Sequence, residues 1–349
     1  MEIKTDVVSV KDQKWKEFTL INDHGMEVSI LDFGGIITRA MTPDRDGKLE
    51  NVVIGFNNYE DYLDNPGYFG ALIGRVAGRI EKAQFELDGK AYTLPKNEGD
   101  HHLHGGEPGF HKSIWSVVPF ENKEEVGLTL TLDSKDGENG YPGNLRMTVI
   151  YTLTNENALT IAYEGVADQN TVLTATNHSY FNLSGNLKTD IQEHEITLDS
   201  SEFVELDDEL IPTGSILNVD DTVFDFRNGR PMKDGVSSEF KQNLVANHGY
   251  DHYFLFDHTK EVSAQVYEKE SGRELKVITD QPGVVMYTSN NLPEGLKLRE
   301  RESARYLGLC LETQASPASI HHDGFPSVWL DKDEKYYAKT TFVFGGVRE

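Results

Sequence analysis

Apolar and polar side chains alternate with a period of two along most of this chain, and the stretch from Leu128 to Tyr163 shows it most clearly. Leu128, Leu130 and Leu132 are interleaved with polar residues, and a turn rich in Gly, Asn and Pro follows. Leu145, Met147, Val149, Tyr151 and Leu153 then alternate, as do Leu159, Ile161 and Tyr163 after Asn155-Glu156-Asn157. In an extended chain such positions share one face, so the spacing predicts an antiparallel meander with one buried side. Asp88-Gly89 predicts a tight hairpin in which Phe85 and Leu87 answer Tyr92 and Leu94. Met26, Val28 and Ile30 repeat the pattern near the start, and Tyr336, Ala338, Thr340, Phe342 and Phe344 repeat it near the end. Helical period is confined to Asn58–Asp64 and Val236–Ala246, too short to organise a parallel βαβ fold. Turn signals every roughly 8–12 residues imply about two dozen strands in a large sandwich or barrel. With no repeat and no linker, the whole chain, 1–349, is expected to form a single all-β domain of antiparallel strands.

Charge narrows the partners. Lys plus Arg number 33 against 58 Asp plus Glu, a formal net charge of −25 over 349 residues, which disfavours nucleic acid and anionic membranes. The one cysteine, Cys310, forms no intramolecular disulfide and excludes cysteine-type structural zinc. The start, Met1-Glu2-Ile3-Lys4-Thr5-Asp6, lacks the basic and apolar regions of a secretory signal. No apolar run approaches the ~20 residues of a membrane span. A soluble, cytoplasmic protein is the expectation.

Five constellations carry candidate chemistry. Gly74-Arg75-Val76-Ala77-Gly78-Arg79-Ile80 lacks the spacing of a phosphate loop and reads either as a turn with solvent-facing arginines or as a close backbone approach beside Arg79. His101-His102-Leu103-His104-Gly105-Gly106 would put His102 and His104 on one face of a strand. That cluster reads as surface histidines, as a metal site that lacks a well-placed carboxylate, or as an imidazole held over a ligand by a Gly-Gly turn. In Thr176-Asn177-His178-Ser179-Tyr180-Phe181-Asn182-Leu183, His178 is either a satisfied sheet histidine or a general acid. Gly249-Tyr250-Asp251-His252 is a weaker signal. In Tyr306 to Glu312 the leucines face one way, and Gly308, Cys310 and Glu312 face the other. A carboxylate ending an apolar strand is costly unless paired or used, and the small residues beside it leave room for a ligand. Cys310 itself reads as a buried small hydrophobe.

These motifs, with Gly34-Gly35 near the start and Glu312-Thr313-Gln314 near the end, run in an order and spacing that resembles the aldose 1-epimerase (galactose mutarotase) family over nearly the full length. The resemblance implies the large galactose mutarotase-like sandwich and interconversion of the α and β anomers of aldohexoses such as galactose and glucose. It implies Glu312 as general base at the anomeric hydroxyl and His178 as general acid at the ring oxygen, with Arg79, His104 and Asp251 binding sugar hydroxyls. It implies no cofactor and no metal, a free aldose as the small-molecule partner, and a monomer or homodimer. Gly78 departs from the commoner Asn, His101 and His102 receive no role, and the competing readings are a hexose-phosphate epimerase, a glycoside hydrolase using Asp251 with Glu312, and a non-catalytic sugar-binding protein.

Overall fold

The computed structural model describes residues 1–346. Three antiparallel sheets hold most of its strands. A five-stranded meander runs in chain order through Glu2–Val10, Gln13–Ile21, Glu27–Leu31, Ile37–Pro43 and Leu49–Asn51. A nine-stranded sheet begins at Ser116–Glu121 and continues through Glu125–Ser134, Leu145–Thr154 and Ala158–Ala167, the predicted meander. Lys335–Gly346 then inserts between Ala158–Ala167 and Arg273–Thr279, and Ala264–Tyr267, Glu195–Leu198 and Arg230–Pro231 complete the order. A six-stranded sheet runs Tyr180–Phe181, Leu309–Thr313, Gly283–Tyr287, Asp251–Leu255, Glu202–Leu206 and Pro212–Asn218.

One core joins all three. Phe18, Leu20, Val28 and Ile30 of the first sheet, Leu128, Val149, Ile161 and Phe342 of the second, and Val284, Met286, Leu309 and Leu311 of the third are all buried in the same cluster. Each of these is the inward half of a period-two pattern, so burying it removes one whole face of every sheet from water. The hairpin at Asp88-Gly89 forms between Gln84–Leu87 and Lys90–Thr93 with both turn residues left-handed, and Phe85 pairs with Tyr92. Leu87 faces Lys90, and Leu94 instead donates its backbone N–H to Ala83.

Helix is scarcer than the sequence suggests. Residues 59–63 form a 3₁₀ turn capped by the Asn58 side chain. Within 236–246 only Lys241–Val245 is helical, Val236 closing a separate turn at Lys233–Val236. Ser238 interrupts the two by accepting the Phe240 N–H, the local competition that serine offers to a helix.

Candidate active site

The register of the six-stranded sheet builds one wall of a pocket. Tyr180 opposes Cys310, Cys310 opposes Tyr287, and Tyr287 opposes Asp251, so these four side chains form a row on one face. Two residues along, Glu312, Val285 and Tyr253 form a second row on that face. The opposite face carries Leu309, Leu311, Met286 and Phe254 into the core. The alternation expected of residues 306–312 holds from Leu309 to Glu312, whereas Leu307 precedes the strand and packs in one cluster with Cys310 and Tyr180, and the space at Gly308 is not for a ligand. A Cβ there would lie 2.7 Å from the Cβ of Tyr180, whose ring occupies that room.

His178 precedes the Tyr180 strand and is clamped by its backbone, donating to Ala71 and accepting from Gly70. Asn177 fixes the loop, its amide donating to Gly70 and its oxygen accepting from both N–H and hydroxyl of Ser179. The imidazole lies between two tyrosine rings, 5.9 Å from Tyr68 and 5.0 Å from Tyr180, both near parallel. Its Nε2 is 3.4 Å from Oε1 of Glu312, and its Nδ1 is 3.5 Å from Sγ of Cys310. His178 and Glu312 are 4% and 3% exposed. Burial drives the imidazole pKa down to about 3 and the Glu312 carboxyl well above its ordinary range, with the Asp251 charge adding to the latter and Arg79 opposing it. Both shifts disfavour charge, so a proton shared between the two members is favoured over a separated ion pair.

Arg79 and His104 come from the facing wall. Arg79–Ile80 pairs with His102–Leu103, after which three successive residues, His104, Gly105 and Gly106, take left-handed backbone angles. A Cβ on Gly105 would sit 1.9 Å from the carbonyl oxygen of Gly74, so glycine is required there. The turn breaks the strand alternation expected of the histidines and swings His104 to Gly78, whose N–H it accepts at Nδ1 at 3.1 Å. That bond leaves hydrogen on Nε2. Burial, with His178 and Arg79 nearby, keeps this ring neutral, its pKa well below ordinary.

His101 and His102 lie outside the pocket. Lys82 donates to Nδ1 of His101, and His102 meets the Pro95 carbonyl and packs against Tyr141. At Gly78 a Cβ would approach Pro317 to 2.9 Å, so proline occupies the space an Asn side chain would need. Arg75 corrects the picture of solvent-facing arginines: it is 2% exposed and spends its guanidinium on Ser134, Lys135 and Pro142.

All five side chains singled out in the sequence, Arg79, His104, His178, Asp251 and Glu312, line this pocket of about 250 Å³. Asp251 has its pKa raised to about 6 by burial, with Arg79 opposing and Glu98 adding to the rise. The Arg79 guanidinium is held charged, because Asp251, Glu98 and Glu312 outweigh its burial. Glu98, Tyr68 and Tyr287 also line the pocket and escaped sequence reasoning. Glu98 and Tyr68 lie in turns with no period, whereas Tyr287, opposite Cys310, is findable once strands 283–287 and 309–313 are paired. Gln314, two residues after Glu312, donates to Ala77 and leaves its buried Oε1 without a partner among the described residues.

His104, His178 and Glu312 bring ligand atoms within 4.8 Å of one another. The donor set does not suit a metal ion, because the Gly78 N–H already takes the Nδ1 lone pair of His104 and leaves hydrogen on its Nε2. It suits hydroxyl groups, which both give and accept hydrogen bonds.

A profile of the aldose 1-epimerase family matches residues 16–343. This chain belongs to that family. Galactose mutarotase from Bos taurus is 41% identical over 333 residues, 94% of each chain, and aldose 1-epimerase from Escherichia coli K12 is 33% identical over 346 residues, 98% of each. The structure of galactose 1-epimerase from Lactobacillus acidophilus NCFM superposes with a TM-score of 0.89 at 29% identity, covering 100% of both chains. As an aldose 1-epimerase the chain is an isomerase that interconverts the anomers of aldoses, on the galactose mutarotase-like fold that the family resemblance implied. No helix among the described residues is long and apolar enough to cross a membrane.

Proposed function

We propose that Glu312 and His178 perform the anomer exchange as a base and acid acting on opposite oxygens of one cyclic hemiacetal. The observation that carries this reading is the 3.4 Å approach of His178 Nε2 to Glu312 Oε1 inside the pocket. The pair's single proton has two placements, carboxylic acid with imidazole or carboxylate with imidazolium. The Arg79 charge and sugar hydroxyls donating to the carboxylate favour the second.

From that state Glu312 takes the proton of the anomeric hydroxyl, the C1–O bond gains its second pair, and the bond from C1 to the ring oxygen breaks. His178 protonates the departing ring oxygen from Nε2. Rotation about C1–C2 in the open aldehyde presents the other carbonyl face. Reclosure returns both protons and gives the other anomer. Each step is reversible and consumes nothing, so no metal or nucleotide enters.

Arg79 and the Nε2–H of His104 donate to sugar hydroxyls, and Asp251 accepts from them. Galactose is the preferred reading of the substrate, supported by the names of the relatives from Bos taurus and Lactobacillus acidophilus. A cytoplasmic monomer or homodimer with one reduced cysteine completes the proposal.

Polarimetry on freshly dissolved α-galactose, corrected for the enzyme-free rate, tests it. Glu312→Gln and His178→Asn are each expected to lower kcat by about 10²–10⁴-fold. Wild-type rates in either variant would leave a sugar-binding protein without this chemistry. Chelator is expected to change nothing, and turnover of an aryl galactoside would point instead to Asp251 and Glu312 acting as a hydrolase pair.

A further inference from the structure

The loop between Leu94 and His102 holds an acidic side chain that the reaction scheme leaves unused. Glu98 accepts from one edge of Arg79, Nε to Oε2 at 2.6 Å and Nη2 to Oε1 at 2.8 Å. A two-point carboxylate contact fixes the plane of a guanidinium as well as its position. The loop is itself anchored for this purpose. Asn97 exchanges side-chain bonds with the backbone of Leu103, at 3.0 Å as donor and 2.8 Å as acceptor. The backbones of Glu98 and His101 bond each other, Lys82 donates to Nδ1 of His101 at 3.1 Å, and His102 Nδ1 lies 2.7 Å from the Pro95 carbonyl. The two histidines left without a role therefore pin both flanks of the segment carrying Glu98.

We propose that Glu98 positions Arg79 for neutral sugar hydroxyls and, by pairing its charge, closes the site to anionic aldoses such as sugar phosphates. Among the described residues Arg79 is the one Lys or Arg side chain lining the pocket, and Glu98, Asp251 and Glu312 line it with carboxyl groups. Paired with Glu98, the guanidinium offers its remaining N–H groups with no net charge left over. Without Glu98 it is a half-buried cation with a free fork, the arrangement that phosphate and sulfate seek. A hexose-phosphate epimerase would need the second arrangement.

This inference rests on Arg79 as a sugar-binding residue, so both residues are varied together. The measurements are galactose kcat and KM by polarimetry and inhibition by sulfate against chloride at matched ionic strength. Glu98→Gln is expected to raise KM about tenfold or more with kcat within about threefold, as loss of charged hydrogen bonds used in binding requires. Sulfate should become a competitive inhibitor of Glu98→Gln while leaving the wild type unaffected, and Glu98→Asp should recover most of the KM. An unchanged KM and no sulfate inhibition in Glu98→Gln, while Arg79→Ala raises KM, overturns the role of Glu98 alone. Arg79→Ala with wild-type KM overturns this inference and the binding role of Arg79 together. A loss confined to kcat and melting temperature in Glu98→Gln marks a merely structural residue and also overturns it.

Discussion

Asp251 shows how a single side chain trades stability for binding. Its pKa stands at about 6 against an ordinary 3.8, mainly because the pocket strips its water. A raised folded-state value means the native protein binds this proton more tightly than the unfolded chain does. Its stabilising effect is therefore complete below about pH 4 and is lost as pH rises through about 6. At neutral pH the charge is a liability, and Asp251→Asn is expected to stabilise the fold by on the order of 1–3 kcal/mol in urea titrations at pH 7. It should also raise the KM for galactose and abolish an inflection in kcat/KM near pH 6; an inflection that persists in the variant belongs to another group. Asp251 was legible only through the family resemblance, because Gly249-Tyr250-Asp251-His252 is a weak signal by itself. Its partner Arg79 was legible too, but Glu98 was not, since an Asn-Glu-Gly turn looks like any solvated loop until the fold brings residue 79 beside it. Arg75 misled for the converse reason: its carbonyl partners at 134, 135 and 142 are backbone atoms, which leave no mark on sequence.

At the level of strands, Glu50 and Arg273 tie the first sheet to the second. Glu50, in Leu49–Asn51, accepts from Lys48 at 2.6 Å and from Arg273 at 3.1 Å, and also from Lys188, while Arg273 lies in Arg273–Thr279. Both paired side chains are 1% exposed. Burial resists the Glu50 charge, yet the donors Lys188, Lys48 and Arg273 prevail and hold its pKa at about 2. Removing the acid strands a buried cation, so Glu50→Gln is expected to cost about 3 kcal/mol at pH 7. The depressed value makes that contribution present above about pH 4.5 and lost as pH falls through about 2, so the gap between wild type and variant should close over that window. A gap independent of pH would mean that packing, not charge, is lost. Strand existence was readable at this scale because alternation survives in each strand alone: residues 128–163 and 336–344 needed no partner to be recognised. Sheet membership was not, since nothing in the pattern of Tyr180, Cys310, Tyr287 and Asp251 says that they are neighbours. Their row arises from three separate registers, each fixed by which face must be apolar.

The whole molecule carries a formal charge of −25, and such a surface repels itself as well as polyanions. Raising NaCl from about 10 to 150 mM shortens the Debye length from about 30 to 8 Å, and the melting temperature is expected to rise with it. A fall would show that attractive surface pairs outweigh the repulsion. The assembly of the nine-stranded sheet has a further outcome. Lys335–Gly346 is the central strand that links Ala158–Ala167 to Arg273–Thr279. Without that strand the two halves of the sheet would face each other with open edges. A chain cut before Lys335 is therefore expected to leave both edges exposed and to aggregate, although every residue lining the sugar pocket precedes the cut.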